Sequence, residues 1–152
     1  MALPEVPENL RPPAGEELVL RVRATGYQIY VCRPGADGKP SWILKMPLAE
    51  LFDEKGTAIG SHYGGPTWKL QDGSEITGKM VAQVSAPDEG AIPWLLVAVA
   101  SNSGKGALKG VTSIQRINTS GGLPPESCKE DDLGKEAKSN YQADYWFYAP
   151  KG

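Results

Sequence analysis

Glycine and proline interrupt this chain so often that a long regular helix is excluded. The 152 residues include 18 glycines and 13 prolines, about a fifth of the chain against roughly 12% in an average protein. Glycine costs conformational entropy in a helix, and proline lacks the amide hydrogen that a helix needs. Hydrophobic residues still make up 40% of the chain, enough for one domain with a buried core. The composition excludes a collagen, a coiled coil and an intrinsically disordered protein.

Between these breaks, apolar and polar residues alternate in short runs. This alternation is the pattern of a β-strand with one buried face. One run, residues 94–100, is apolar at every position and is therefore predicted to be a central strand. The other single strands are predicted at residues 18–24, 27–32, 42–46, 111–119 and 141–148.

A hairpin is predicted from residues 59–70 and 75–84, which flank a Gln-Asp-Gly turn. A two-residue loop would place a leucine opposite a glutamate. A three-residue loop with a left-handed glycine pairs apolar with apolar residues and joins opposite charges, so it is the predicted register. It sets Trp68 opposite Ile76 and Lys69 opposite Glu75.

Seven or more short strands without a sustained helical period predict a single-domain antiparallel β-sandwich or barrel with long Gly/Pro-rich loops. Residues 1–15 contain four prolines and are predicted to form an extended N-terminal arm, followed by one β domain at 16–152. Residues 47–54 are predicted to form a short helical turn. The charged residues 129–139 are predicted to form a solvated loop or a short helix.

The charge of the chain limits its partners. Sixteen basic and 18 acidic side chains give a net charge of −2, which argues against nucleic acid or an anionic membrane surface. One histidine and two cysteines are too few ligands for a Cys/His zinc site. No metal and no cofactor is therefore predicted.

The start of the chain lacks the basic residues and apolar run of a targeting segment. The longest apolar run, residues 94–100, is far shorter than the ~20 residues that cross a bilayer, so no membrane span is predicted. Two interpretations fit: a cytosolic protein, or the mature part of a secreted protein. The two cysteines, Cys32 and Cys128, either form a disulfide or are separate buried thiols, and their spacing alone leaves both open.

The only histidine, His62, lies in the glycine-rich segment Gly60–Trp68. Glycines let the backbone turn sharply and approach a ligand, and an ordinary imidazole titrates near neutrality. We expect a ligand site here, with His62 as an acid, base or hydrogen-bonding anchor and Tyr63 and Trp68 as walls of an exposed cleft. The structural alternative is a tight loop whose histidine bonds a backbone carbonyl and whose tryptophan fills the core.

A catalytic role for His62 needs a partner. A hydrolase or isomerase would use a carboxylate beside the imidazole, and a triad would combine Ser61 or Ser74 with His62 and Asp72. The chain lacks the Gly-x-Ser-x-Gly turn that exposes a nucleophilic serine in one large class of hydrolases. The catalytic interpretation therefore remains the alternative.

Arg116 and the aromatic residues of the last strand are further candidates. Arg116 alternates with apolar residues, and we expect it to pair with a carboxylate; the alternative is an anionic ligand. Aromatic side chains on a β-surface stack on sugar rings or fill a core. Here one aromatic face must be core, and the other is either exposed or covered by the N-terminal arm. The first face has Tyr141, Tyr145 and Phe147, and the second has Trp146 and Tyr148.

The order of several motifs along the chain carries a resemblance. The motifs are Gly26–Cys32, Trp42, Gly60–Trp68 with Asp72-Gly73-Ser74, Ile92–Leu96, Ile114–Gly122, Pro124-Pro125 with Cys128, and Tyr141–Tyr148. In this order the chain resembles the domain-of-unknown-function family numbered 3455, a group of secreted bacterial and fungal proteins, from about Pro4 to Pro150. The resemblance implies secretion and no settled activity. It also favours a Cys32–Cys128 disulfide, because each cysteine stands within a family motif.

These observations together predict a non-enzymatic binding protein that is secreted or periplasmic. The expected ligand is a small molecule or carbohydrate held by His62, Tyr63, Trp68 and Arg116. The alternatives are a small His-dependent hydrolase or isomerase, or a cell-envelope domain that binds another protein.

Overall fold

A computed structural model describes residues 3–152, so residues 1 and 2 of the predicted arm lie outside the described residues. Eight antiparallel strands follow one another around a closed barrel, and the last strand pairs with the first. The strands are β1 (Glu16–Pro34), β2 (Pro40–Phe52), β3 (Ala58–Tyr63), β4 (Thr67–Leu70), β5 (Glu75–Val84), β6 (Trp94–Ser103), β7 (Ser113–Gly121) and β8 (Glu136–Pro150).

The prediction of one all-β domain is confirmed, and the ring closure makes it a barrel rather than a sandwich. Strand β1 is 19 residues long and hydrogen-bonds to both β2 and β8. Bulges at Leu18/Leu20 and Ile29/Tyr30 interrupt its registers, and such bulges bend a strand. A Cβ atom at Gly26 would lie 2.2 Å from the Leu48 oxygen, so only glycine lets β1 and β2 approach this closely.

The predicted hairpin register is confirmed. Trp68 pairs with Ile76 and Lys69 with Glu75, and Gly73 adopts a φ of 96°. The segment predicted as one strand at 59–70 is two strands, β3 and β4, because the backbone reverses between Tyr63 and Thr67. Conversely, the runs predicted at 18–24 and 27–32 join into the single strand β1.

The helical turn predicted at residues 47–54 is wrong, because residues up to Phe52 continue β2. Ala49 and Leu51 alternate into the buried interior, and β1 supplies hydrogen-bond partners along this stretch. The segment 129–139 contains a 3-10 helix at Glu130–Asp132, but β8 already begins at Glu136.

The interior of the barrel has two halves. Apolar side chains fill the half nearest the start of β1 and the end of β8. The other half contains Gln28, His62 and Arg116, which belong to the site described below. The packed half includes Val22, Leu51, Leu70, Ile76, Ile114 and Phe147.

Both aromatic faces of β8 are buried. Tyr141, Tyr145 and Phe147 point into the barrel, whereas Trp146 and Tyr148 pack on its outside with Val6 of the N-terminal segment. These side chains are core, and an exposed aromatic platform for sugars on β8 is not formed.

The N-terminal segment is fixed to the barrel by hydrogen bonds as well as by packing. The fully buried Leu10 accepts a hydrogen bond at its backbone oxygen from Gln115 Nε2 at 2.9 Å. The amide oxygen of Gln115 in turn accepts from the Tyr148 hydroxyl at 2.6 Å. This chain of bonds connects the N-terminal segment to β7 and β8.

The two cysteine sulfurs lie 2.10 Å apart, at disulfide-bonding distance, as the family resemblance implied. Cys32 is near the end of β1, and Cys128 is in the loop between β7 and β8. The pair therefore links the rim of the barrel to the β7–β8 loop, the longest connection between strands. Backbone bonds from Cys32 to Gly134 and Lys135 support the same contact.

Replacing both cysteines by alanine should lower the free energy of unfolding by about 2–4 kcal/mol, because the bridge restricts the unfolded chain over 96 positions. Urea unfolding measured by circular dichroism tests this. Wild-type protein in reductant should lose a similar amount. Equal stability of the variant and the oxidised wild type would contradict the pairing.

Candidate functional site

The β3–β4 hairpin places His62 and Trp68 side by side inside the barrel. They are direct cross-strand partners, so their side chains leave the sheet on the same face. Their rings stack with centroids 4.3 Å apart and planes inclined by 18°. Gly65, with a φ of 116°, makes the tight reversal possible, and the Thr67 hydroxyl donates to the Gly64 oxygen.

Beside this stacked pair lies a cavity of about 150 Å³. It lies in the half of the barrel interior that contains Gln28, His62 and Arg116. Apart from these polar groups, its lining is mostly apolar. The polar or aromatic lining residues are Gln28, His62, Trp68, Arg116 and Tyr145, and the apolar ones include Pro47, Met80, Leu95 and Val97.

The hydrogen bonding of His62 fixes its tautomer. Nδ1 lies 2.8 Å from the Thr67 carbonyl oxygen, which only accepts, so Nδ1 carries the proton and donates. The side chain is 3% exposed. Burial lowers the pKa of His62 to about 3; the Thr67 hydrogen bond opposes this shift, and the charge of Arg116 adds to it. The imidazole is therefore neutral at physiological pH, and Nε2 is an acceptor.

This pKa lies well below that of an ordinary imidazole. Trp68 is 2% exposed, so the predicted exposed cleft with Trp68 as its wall is wrong. A carbonyl-bonded histidine beside a buried tryptophan is the geometry of the structural alternative. It differs from a filled core because a cavity adjoins the two rings.

Arg116 points into the same interior from β7. Its Nε and Nη2 atoms donate to the Pro93 oxygen at 3.1 and 2.8 Å. Within residues 3–152, no carboxylate lies within 4.0 Å of the guanidinium. The expected salt bridge is therefore wrong, and the half-buried guanidinium has neutral partners, the Pro93 carbonyl and the Tyr145 hydroxyl.

Two buried polar atoms of the lining have no hydrogen-bond partner in the described part of the chain. They are Gln28 Oε1 and Trp68 Nε1. Buried polar atoms are nearly always paired, so each calls for an explanation. Gln28 was missed by sequence reasoning. The sequence signal for Gln28 is the strand alternation: Gln28 lies between Tyr27 and Ile29, so its polar side chain is on the opposite face of the strand from theirs.

The fourth predicted site residue, Tyr63, lies elsewhere. It follows His62 directly and therefore points to the other face of the sheet. Its hydroxyl donates to Glu75 Oε1 at 3.0 Å, and burial together with this carboxylate raises its pKa. The structure thus brings together His62, Trp68 and Arg116 and leaves Tyr63 outside the cavity.

The candidate triad is not assembled. The Ser74 hydroxyl donates to Asp72 Oδ1 at 2.7 Å, and Asp72 Oδ2 accepts from the Ala107 amide. These bonds lower the pKa of Asp72 and hold the β4–β5 turn against the loop after β6. Neither side chain contacts His62, whose ring bonds the Thr67 carbonyl instead.

Another depression, on the surface, has paired charges. The groove beside β1 contains the Arg21–Glu54 and Arg23–Asp144 salt bridges at 2.8 and 3.0 Å. Across residues 3–152, no group of three or more His, Cys, Asp or Glu side chains is placed to hold a metal ion. Nor does any helix of the described chain have the length and apolarity to cross a membrane.

Comparison with known proteins identifies a family but no activity. The family model described as "Protein of unknown function (DUF3455)" matches residues 13–149. This range includes every residue of the cavity lining. No curated protein and no solved structure matches the chain significantly.

Acid should destabilise the protein through His62, because the folded pKa of about 3 lies below the unfolded value near 6.5. The unfolded chain takes up the proton first, so stability falls as pH drops below about 6.5. Between about pH 6 and 4.5, the free energy of unfolding should fall by about 1.4 kcal/mol per pH unit from this group.

The control is His62→Phe, which removes the only titrating imidazole. Urea unfolding across this pH range should give a shallower slope for the variant than for the wild type. The carboxyl Asp72, whose pKa is lowered, loses its contribution only at more acidic pH and does so in both proteins. Identical slopes would contradict a neutral, buried His62.

Proposed function

We propose that this chain, which belongs to the DUF3455 family of proteins of unknown function, is a non-enzymatic protein that binds a small molecule inside its barrel. The observation that carries the proposal is the cavity beside His62 and Trp68, with unpartnered polar atoms in its wall. Small eight-stranded barrels have room for side chains or for one small ligand. Here the side chains leave part of the interior unfilled.

The unpartnered atoms of the lining are a second support for a ligand. Leaving a buried polar group without a partner costs about 1–3 kcal/mol. Gln28 Oε1 and Trp68 Nε1 both have this free-energy cost in the empty protein. An apolar residue at position 28 would remove the cost of the first atom. A ligand with a donor and an acceptor would satisfy both atoms in the bound state.

The size of the cavity favours a small molecule over an oligosaccharide. A dry cavity of about 150 Å³ is large enough for benzene, and this cavity has about that volume. The lining is predominantly apolar, with a few polar groups that would orient a ligand. A compound of about one aromatic ring is therefore the proposed occupant.

The route into the cavity passes flexible side chains. Leu44 and Met80 both line the cavity and are largely exposed. Methionine is unbranched and adapts its shape easily. Rotation of these two side chains would admit a ligand while the hydrogen-bonded ring of strands remains closed.

The proposed location is outside the cytosol, in a secreted or periplasmic protein. The support is the cysteine pair at bonding distance, since structural disulfides persist in oxidising compartments. Non-enzymatic binding is supported by the buried, neutral His62, which has no carboxylate partner among residues 3–152 to form an acid–base pair.

Filling the cavity should abolish binding without unfolding the barrel. Leu95→Phe adds volume inside the cavity, whereas Val81→Phe adds the same ring type at a position that is 61% exposed. In a thermal-shift screen of phenol, benzyl alcohol, benzamide and benzoate, the wild type and Val81→Phe should be stabilised. A ligand at 100 times its Kd contributes about 2.7 kcal/mol.

Leu95→Phe should show no shift with the same compounds. If no ring-sized compound stabilises the wild type, or if Leu95→Phe responds equally, the proposed function is wrong.

Two matched glutamine substitutions separate a ligand site from ordinary core. Gln28→Met removes an unpartnered acceptor and should raise the free energy of unfolding of the empty protein by about 1 kcal/mol. Gln115→Met removes hydrogen bonds to Leu10 and Tyr148 and should lower it by about 1–3 kcal/mol. Urea unfolding measures both changes. A destabilised Gln28→Met protein would show that Gln28 already has its partner.

A further inference from the structure

We propose that the ligand of the barrel cavity is the anion of a small organic acid, a carboxylate on a body of about one aromatic ring, held by Arg116. This inference rests on the proposed function, since it names the chemical class that the same cavity would bind. It concerns the charge of the ligand, which the volume of the cavity does not determine.

The first argument is the missing counter-charge of Arg116. Arginine stays protonated inside proteins, and a buried charge without a partner is costly. On the surface of the same barrel, Arg21 and Arg23 have carboxylate partners at 2.8 and 3.0 Å. Arg116 is partly buried, as Arg21 is, but it has no carboxylate within 4.0 Å among residues 3–152. An anionic ligand would supply the missing charge.

The second argument is that Arg116 is held in place while donors remain free. A guanidinium has five N–H donors, and the Pro93 oxygen receives bonds from Nε and Nη2. The Tyr145 hydroxyl also bonds to the guanidinium, and the remaining N–H hydrogens are available to a ligand. A planar carboxylate is the acceptor that best fits such paired donors.

The carbonyl that positions Arg116 is itself fixed. The preceding residue, Ile92, donates from its amide to the Gly121 oxygen at 3.0 Å and accepts at its own oxygen from the Thr119 hydroxyl at 2.6 Å. The loop before β6 is thus bonded to β7. A donor fixed before binding loses little freedom when the ligand arrives, which increases affinity.

The remaining polar atoms of the lining suit a ring that carries both a carboxylate and a hydroxyl group. Trp68 Nε1 is an unpartnered donor, whereas Gln28 Oε1 is an unpartnered acceptor and His62 Nε2 is a bare acceptor. A phenolic hydroxyl would donate to one of these acceptors. The His62 and Trp68 rings both line the cavity, so they would contact the ring of the ligand.

The test compares 4-hydroxybenzoate with 4-hydroxybenzamide, two compounds of nearly the same shape that differ in charge at neutral pH. Isothermal titration calorimetry with the wild type should give a Kd about 10- to 100-fold lower for the carboxylate, the range expected for hydrogen bonds to a charged group. In Arg116→Met this preference should disappear, while binding of the amide is retained and shows that the barrel is folded. In Arg116→Lys the carboxylate should keep part of its advantage.

The outcomes separate the two proposals. If the amide binds to the wild type as tightly as the carboxylate, or if Arg116→Met keeps the preference, the inference is overturned and the proposed function stands. If Arg116→Met loses both ligands, nuclear magnetic resonance of the empty variant decides. A folded spectrum overturns the proposal that Arg116 binds the charge of the ligand. If the variant is unfolded, Arg116→Lys is used instead, and complete loss of the carboxylate preference in that variant overturns the proposal. If neither compound binds to the wild type, the proposed function fails and the inference fails with it.

Discussion

The pairing of β1 with β8 is the constraint on which the rest of the structure depends. The two strands pair from Glu16↔Pro150 to Val31↔Glu136, and the ladder closes the ring. Closure removes the exposed edges that an open sheet would present. It also creates an inside, because side chains that would cover one face of an open sheet now enclose a volume. The buried position of His62, Trp68 and Arg116 follows from this single ladder.

Side chains pack one half of the barrel interior and leave a cavity in the other half, and this cavity costs stability. Interiors pack to the density of organic crystals, so an unfilled region forgoes dispersion contacts. Leu51, Ile76 and Phe147 fill one half of the barrel, whereas the other half combines a cavity with unpartnered polar atoms. An apolar residue in place of Gln28 would avoid part of this cost. Glu16 Oε1 and the Nε1 atoms of Trp42, Trp94 and Trp146 are also unpartnered, so Gln28 and Trp68 are distinguished by lying beside a cavity.

Local features of this fold were predictable from the sequence, and non-local ones were not. The register that pairs Trp68 with Ile76 follows from a few residues around one turn. The helical turn expected at 47–54 failed because β1, some 20 residues earlier in the chain, supplies its partners. Likewise, alternation located Arg116 on a strand but did not reveal that its neighbours inside the barrel include no carboxylate. That depends on which strands face one another across the closed ring.

Two features outside the barrel interior stabilise the fold despite the cavity. The N-terminal segment is bonded through Gln115 to Tyr148, and its Val6 packs against Trp146 and Tyr148 on the outer side of the barrel. The Cys32–Cys128 pair ties the rim of β1 to the loop before β8. Both devices stabilise the strands that close the ring while leaving the interior free of additional side chains. Stability gained outside the barrel therefore offsets the cost of polar atoms and empty space inside it, which is the division that the proposed ligand site requires.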